Sequence, residues 1–227
     1  MIASSLRFKA AVIQGLPHWH ARSDGSELRA FTLEYANQSI SEALTQAESK
    51  VSLIAESQAA PGAVFFALNH PETIKNLILI QPLGLNTKSF TESDKPIIQE
   101  FEKRLRMNAN FQALSLLSDW RLVYNHFVLL KTRFSSNLRD KFDTHYKIGL
   151  QSDIASILRK VTKTMPVHVI VGENDRIFQP DEIINTLKKE DINLASLVVV
   201  EGVSHSPLVS RAGKKLLSRA EAFAQND

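Results

Sequence analysis

The chain has no cysteine among its 227 residues. That excludes disulfides, thiolate metal sites and a cysteine nucleophile, and leaves serine, histidine and carboxylates to carry any chemistry. A reducing compartment fits this composition. Also lacking is any apolar run near the roughly 20 residues that a membrane helix needs, and the stretch from Met1 to Ala11 has no hydrophobic core followed by a small-residue cleavage site. The expectation is a cytoplasmic protein without membrane contact. A surplus of one charge sign is missing too. Twenty-seven Lys plus Arg stand against 24 Asp plus Glu, a formal +3 that is scattered rather than gathered into a stripe or tail, so nucleic acid is not indicated. Internal repeats, low-complexity tracts and Gly/Ser linkers are absent.

What is present is an ordinary globular composition, 44% hydrophobic and 22% charged, in a length that suits one domain with an insertion. Short β-rich apolar runs alternate with longer helical segments, the pattern of a mostly parallel sheet covered by helices. The expected strands are Phe8 to Gln14, Val51 to Ala55, Leu77 to Gln81, Val167 to Val171 and Leu197 to Glu201. Most are continuous apolar runs, as when both strand faces are buried. Ser39 and Glu42 have capping-box spacing for a short helix reaching about Ala47. A second helix should run from about Gln58 to Asn69, with Pro61 in its first turn and Pro71 as its stop. From about Asn86 to Thr164 no strand-like run appears, and apolar residues recur at helical spacing through Phe101, Leu105, Phe111, Leu114, Leu117, Trp120, Tyr124, Phe127 and Leu130. The chain thus divides into 1–85 and 165–227, two parts of one α/β core, with 86–164 inserted as a helical cap.

The sequence Leu53-Ile-Ala-Glu-Ser57-Gln-Ala places a serine between a buried strand and a helix, with Ala55 and Ala59 two residues to either side. A strand-to-helix elbow strains the serine backbone and demands small neighbours, because a larger Cβ would collide with the adjoining strand and helix. The helix start would favour negative charge on a tetrahedral oxygen. Alone, Ser57 reads equally well as a helix N-cap. Two downstream segments add to it. The strand Val167 to Val171 runs into Gly172-Glu-Asn-Asp175, and the strand Leu197 to Glu201 runs into Gly202-Val-Ser-His205. Both put a polar residue at a strand's C-terminal end, where open α/β sheets bind ligands. A hydroxyl needs a base, and a neutral imidazole needs a carboxylate to fix its tautomer. Glu173 is a rival carboxylate and Glu56 a rival base.

These segments together resemble the α/β-hydrolase superfamily, in which the chain order is Ser, Asp, His. Ser57 through His70-Pro71-Glu72 to Leu77-Ile-Leu-Ile-Gln-Pro82 is similar to that family's nucleophile elbow, following helix, turn and next strand. Leu16-Pro-His-Trp-His-Ala-Arg-Ser23 is similar to its loop after strand four. The resemblance implies Ser57 as nucleophile, Asp175 as orienting acid, His205 as general base and the Gln58 backbone amide as an oxyanion donor. It implies hydrolysis of a small ester-like or related acyl substrate, with no metal or organic cofactor.

The departures are specific. Alanines replace both elbow glycines, Glu56 stands where histidine is common, and His18 and His20 replace loop glycines. The chain begins at the family's fourth strand, so the third strand, and the oxyanion amide from the loop after it, are expected to be missing. Three resolutions follow: Phe8 to Gln14 pairs directly with Val51 to Ala55, a second copy fills the gap as a homodimer, or the natural protein is longer and Met1 is an internal start. Reading Ala11 to Gly15 as the third strand leaves too few residues before the elbow. His18, Trp19 and His20 are expected either to line a pocket or supply oxyanion donors, or to form a surface loop; Trp120 and Tyr124 of the insertion are pocket candidates. No third ligand has useful spacing for a metal. The alternative from another class is a non-catalytic binding or interaction module that retains these residues as inherited structure.

Overall fold

The computed structural model describes residues 37–38, 40–45, 47, 49–85, 103, 154–205 and 210–225. The expected strand Phe8 to Gln14, the loop carrying His18, Trp19 and His20, and the insertion residues Trp120 and Tyr124 lie outside the described residues.

Among the described residues, β1 (Val51–Glu56), β2 (Ile74–Ile80), β3 (Val167–Gly172) and β4 (Ser196–Val200) form one sheet in the order β1-β2-β3-β4. Every neighbouring pair is parallel. Parallel neighbours need crossovers, and helices supply them: α1 (Ala60–Asn69) joins β1 to β2, α2 (Ile154–Val161) precedes β3, and α3 (Pro180–Lys189) joins β3 to β4, with α4 (Gly213–Gln225) closing the series.

Period-two alternation sorts the core. Leu77 and Leu79 of β2 and Val167, Val169 and Val171 of β3 pack with α1, α2 and α3 through Val64, Ala67, Leu158, Ile183 and Leu187. The alternate residues Ile78, Ile80 and Ile170 pack with Leu216, Leu217 and Ala220 of α4 on the opposite face. Both faces of β2 and β3 are therefore covered, which is why these strands read as near-continuous apolar runs. β4 lies at the end of the sheet order, and Leu197 and Val199 on one of its faces are exposed.

Several sequence boundaries move. β2 begins at Ile74, three residues before the apolar run at Leu77. Asn76, which interrupts that run, is buried because its amide donates to the Phe223 carbonyl of α4 at 3.2 Å. Gln81 leaves the strand with φ +48°. The expected helix from Gln58 splits into a 3-10 turn, Ser57–Ala59, and α1. Ser39 of the expected capping box lies outside the described residues; residues 37–38 are helical, and Glu42 accepts from Gln38 at 2.9 Å. His70 ends α1 through its backbone amide, which donates to Phe66 O at 2.9 Å, while its ring packs on the Phe66 ring. The final helix of the 86–164 segment, α2, shares the core of the sheet through Ile154, Ala155, Leu158 and Val161.

Candidate active site

All strands point the same way, so the loops after β1, β3 and β4 emerge at one edge of the sheet. Ser57 follows β1 without an intervening residue and adopts φ +50°. For a residue with a Cβ this left-handed conformation costs about 1–2 kcal/mol. Neighbouring backbone holds it there: Glu56 is still extended, Ala60 N–H donates to Ser57 O, and Leu83 N–H beyond β2 donates to the same carbonyl at 3.0 Å. The Gln58 backbone lies in the first turn of helix, where amides have no partner one turn back. Ala55 is buried, as the elbow requires, but Ala59 is exposed, so the crowding expected at that position is not met.

Asp175 lies in the loop after β3 with its side chain wholly buried. A buried carboxylate must have its lone pairs engaged. Oδ1 accepts the amides of Ile177 and Phe178, each at 2.9 Å, and Oδ2 lies 2.8 Å from Nδ1 of His205. With Oδ2 as acceptor, the bond to His205 places the imidazole proton on Nδ1 and the acceptor lone pair on Nε2 when the ring is neutral. The His205 ring stands edge-on to Phe178, centroids 5.1 Å apart, and is 17% exposed. Burial of the ring disfavours its charged form. The charge of Asp175, its hydrogen bond and the charge of Glu56 together outweigh that effect and raise the His205 pKa above the ordinary imidazole value.

The histidine loop reaches this position by crossing the sheet edge strand by strand. Gly202, at φ +69°, turns the chain after β4, and its amide donates to Glu173 Oε2 at 2.9 Å. Val203 passes over the end of β3, where its carbonyl accepts the Asn174 amide at 2.9 Å. A Cβ on Gly172 would lie 2.3 Å from that carbonyl oxygen, so only glycine fits beneath it. Ser204 passes over the end of β2, its carbonyl accepting the buried Gln81 side chain at 2.9 Å. His205 comes next, and the charge of Glu56 at the end of β1 bears on it.

Asp175 and His205 are thus in direct contact, on the same rim as Ser57. Glu173, the rival acid, is instead a tie between the acid and histidine loops. Sequence reasoning missed Gln81. Its signal was a polar residue closing an apolar strand just before Pro82. Of the remaining histidines, His168 lies near the opposite end of β3, its Nδ1 2.8 Å from Ser196 Oγ and its ring stacked on Phe223. Among the described residues no group of His, Asp and Glu could hold a metal ion, and no helix is long and apolar enough to cross a membrane.

The sheet order and its two covered faces are those of an α/β fold, and its similarity to solved structures identifies it as the α/β-hydrolase fold. A serine hydrolase from the polyaromatic-hydrocarbon-degrading bacterium Cycloclasticus zankles is similar with a TM-score of 0.57 at 13% identity, over 88% of this chain and 74% of its own. An α/β-hydrolase enzyme from the sediment metagenome of the lagoon of Mar Chica, Morocco, is similar with a TM-score of 0.54 at 16% identity, over 92% of this chain and 74% of its own. The peroxisomal α/β-hydrolase of Saccharomyces cerevisiae gives 0.54 at 14% identity, over 88% and 60%. No protein-family model and no curated protein matches the chain by sequence.

Proposed function

We propose that the chain is a serine hydrolase acting on a small ester-like or related acyl substrate, with Ser57 as nucleophile, His205 as general base and Asp175 as the acid that orients it. The observation that carries this reading is the 2.8 Å contact between buried Asp175 and His205 Nδ1, on the rim where Ser57 holds φ +50°. A loop carboxylate serving only its own turn would need the Ile177 and Phe178 amides alone. Here its second oxygen is committed to an imidazole.

In the proposed cycle, His205 Nε2 takes the Ser57 hydroxyl proton as Oγ bonds to the substrate carbonyl carbon. The carbonyl oxygen becomes an oxyanion, and the Gln58 amide is the donor proposed to meet it. Collapse breaks the bond to the leaving group, which takes the proton from Nε2. Water then attacks the acyl-enzyme, giving a proton to Nε2 and releasing the acid as Ser57 recovers its proton. The likeness of the fold to the Cycloclasticus serine hydrolase supports the reaction class; the acyl group itself is not selected by fold.

Labelling with a fluorophosphonate tests the reading. Wild-type protein should be modified once, at Ser57, and both Ser57→Ala and His205→Ala should abolish labelling. Absence of labelling in folded wild-type protein would overturn the enzyme in favour of a binding module on the same fold.

A further inference from the structure

The residue preceding the serine carries a second carboxylate, and nothing in the proposed cycle uses it. Glu56 pairs in register with Ile80 and is two positions from Ile54. Ile80 belongs to the core on the α4 face of the sheet and Ile54 packs against it. Alternation therefore puts the Glu56 side chain on that face as well. This is the face over which the histidine loop travels, since Val203 belongs to the same apolar cluster and Ser204 is held by Gln81 next to Ile80. One residue further along that path is His205, and one strand further is Glu56.

We propose that Glu56 is a positioning residue of this site, a carboxylate that acts on His205 from the β1 side while Asp175 holds it from the β3 side. The proposal rests on the serine-hydrolase reading for its consequence in catalysis, though not for the contact itself. The influence of Glu56 on the imidazole is attractive towards the charged ring, in the same direction as that of Asp175. The other charged groups on the surrounding elements are disposed differently. Glu173 is exposed and bonded to the Gly202 amide, and Arg176, Glu201 and Arg211 are exposed on the loops, as are Lys214, Lys215 and Arg219 on α4. Phe178 covers the ring edge-on and contributes no charge. Glu56 would thus help hold the imidazolium that forms when Ser57 attacks, and would make the resting ring a stronger base.

The two effects oppose each other across pH. A stronger base transfers the proton more readily but is protonated over a wider range. Glu56→Gln, nearly isosteric, should lower the midpoint of the His205 imidazole titration read by NMR. Glu56→Asp, which keeps the charge, should restore it at least in part. In fluorophosphonate labelling, Glu56→Gln should react faster than wild type on the acid limb and more slowly on the alkaline plateau, so that the two profiles cross. A purely structural role would depress both limbs together. An unchanged imidazole midpoint in folded Glu56→Gln would overturn the proposal. If wild-type protein fails to label at any pH, the serine-hydrolase reading falls, while the NMR titration still decides whether Glu56 acts on His205.

Discussion

Replacing Gly172 by alanine probes the crossing of the histidine loop over the sheet edge with a single methyl group. The added Cβ would lie 2.3 Å from the carbonyl oxygen of Val203 and 2.9 Å from its carbon, where ordinary contact begins at 3.4 Å. The loop must therefore rise by about 1 Å. Both atoms are backbone, so no side-chain rotation relieves the clash. Val203 is fully buried and its carbonyl takes the Asn174 amide at 2.9 Å, while the next carbonyl takes the Gln81 side chain at 2.9 Å. The displacement passes to His205, two residues on, whose bond to Asp175 is only 2.8 Å long. Overpacking of this kind costs about 1–3 kcal/mol, which for a chain of this size is a fall in Tm of roughly 2–12 °C. A misplacement near 1 Å in a catalytic group costs on the order of a hundredfold in rate. Thermal unfolding and the second-order rate of fluorophosphonate labelling measure the two effects separately. A Gly172→Ala protein that melts and labels like wild type would refute the claim that this glycine sets the height of the histidine loop.

Asp175→Asn should fold, because Asn Oδ1 can still accept the Ile177 and Phe178 amides, yet its amide would donate to His205 Nδ1 and force the wrong tautomer. Labelling should fall by about 10⁴-fold, whereas Glu173→Gln should stay within about twofold of wild type; comparable losses in the two variants would undo the assignment of the acid. Gln81→Ala leaves the buried Ser204 carbonyl without its donor and should cost about 1–3 kcal/mol in urea unfolding, with a drop in labelling rate that Gly172→Ala should not deepen additively, since both act on one loop. The pH dependence has a definite sign. Because the folded-state pKa of His205 is raised, its contribution to stability is complete below the unfolded-state value and is lost as pH rises through the folded value. Reactivity runs the other way, gained over that same rise, so an acid-limb midpoint at or below the ordinary imidazole value of about 6.5 would contradict the arrangement described.

The interior of the sheet was legible because burial on both faces leaves an unambiguous trace. β2 and β3 are apolar nearly throughout, and their positions follow from that. The errors fell where a polar group is satisfied by a partner remote in sequence. Asn76 hid the start of β2 because its partner, Phe223 O, is 147 residues away. For the candidate site, the residue types and the strand-end positions of Ser57, Asp175 and His205 were readable from local pattern. The bonds that shape the loops carrying Asp175 and His205 were not. Gln81 reaches across 123 residues to Ser204, and Glu173 across 29 to Gly202. In the sequence Gly172 only follows the run Val167 to Val171, whereas the reason for a glycine there is the close passage of another segment.

The distribution of backbone strain carries the same logic one step further. Among the described residues, Ser57, Gln81 and Asp191 are the non-glycine positions with positive φ. Asp191 lies in the turn between α3 and β4, but Ser57 and Gln81 each follow the last residue of adjacent parallel strands, at the rim where the acid and histidine loops meet. Each costs about 1–2 kcal/mol that a relaxed turn would avoid, and the structure retains both through long-range bonds. Ser57 O is held by Leu83 N–H, the Gln81 amide is held by Ile170 O, and the Gln81 side chain holds the histidine loop. The two strained residues are linked, since the segment leaving Gln81 supplies the amide that fixes Ser57. Strain at Gln81 turns its side-chain amide across the edge to the Ser204 carbonyl, one residue before His205. A sheet that served only as a scaffold would have no use for either distortion, and their coincidence at one rim is what the proposed role of Ser57 as nucleophile would explain.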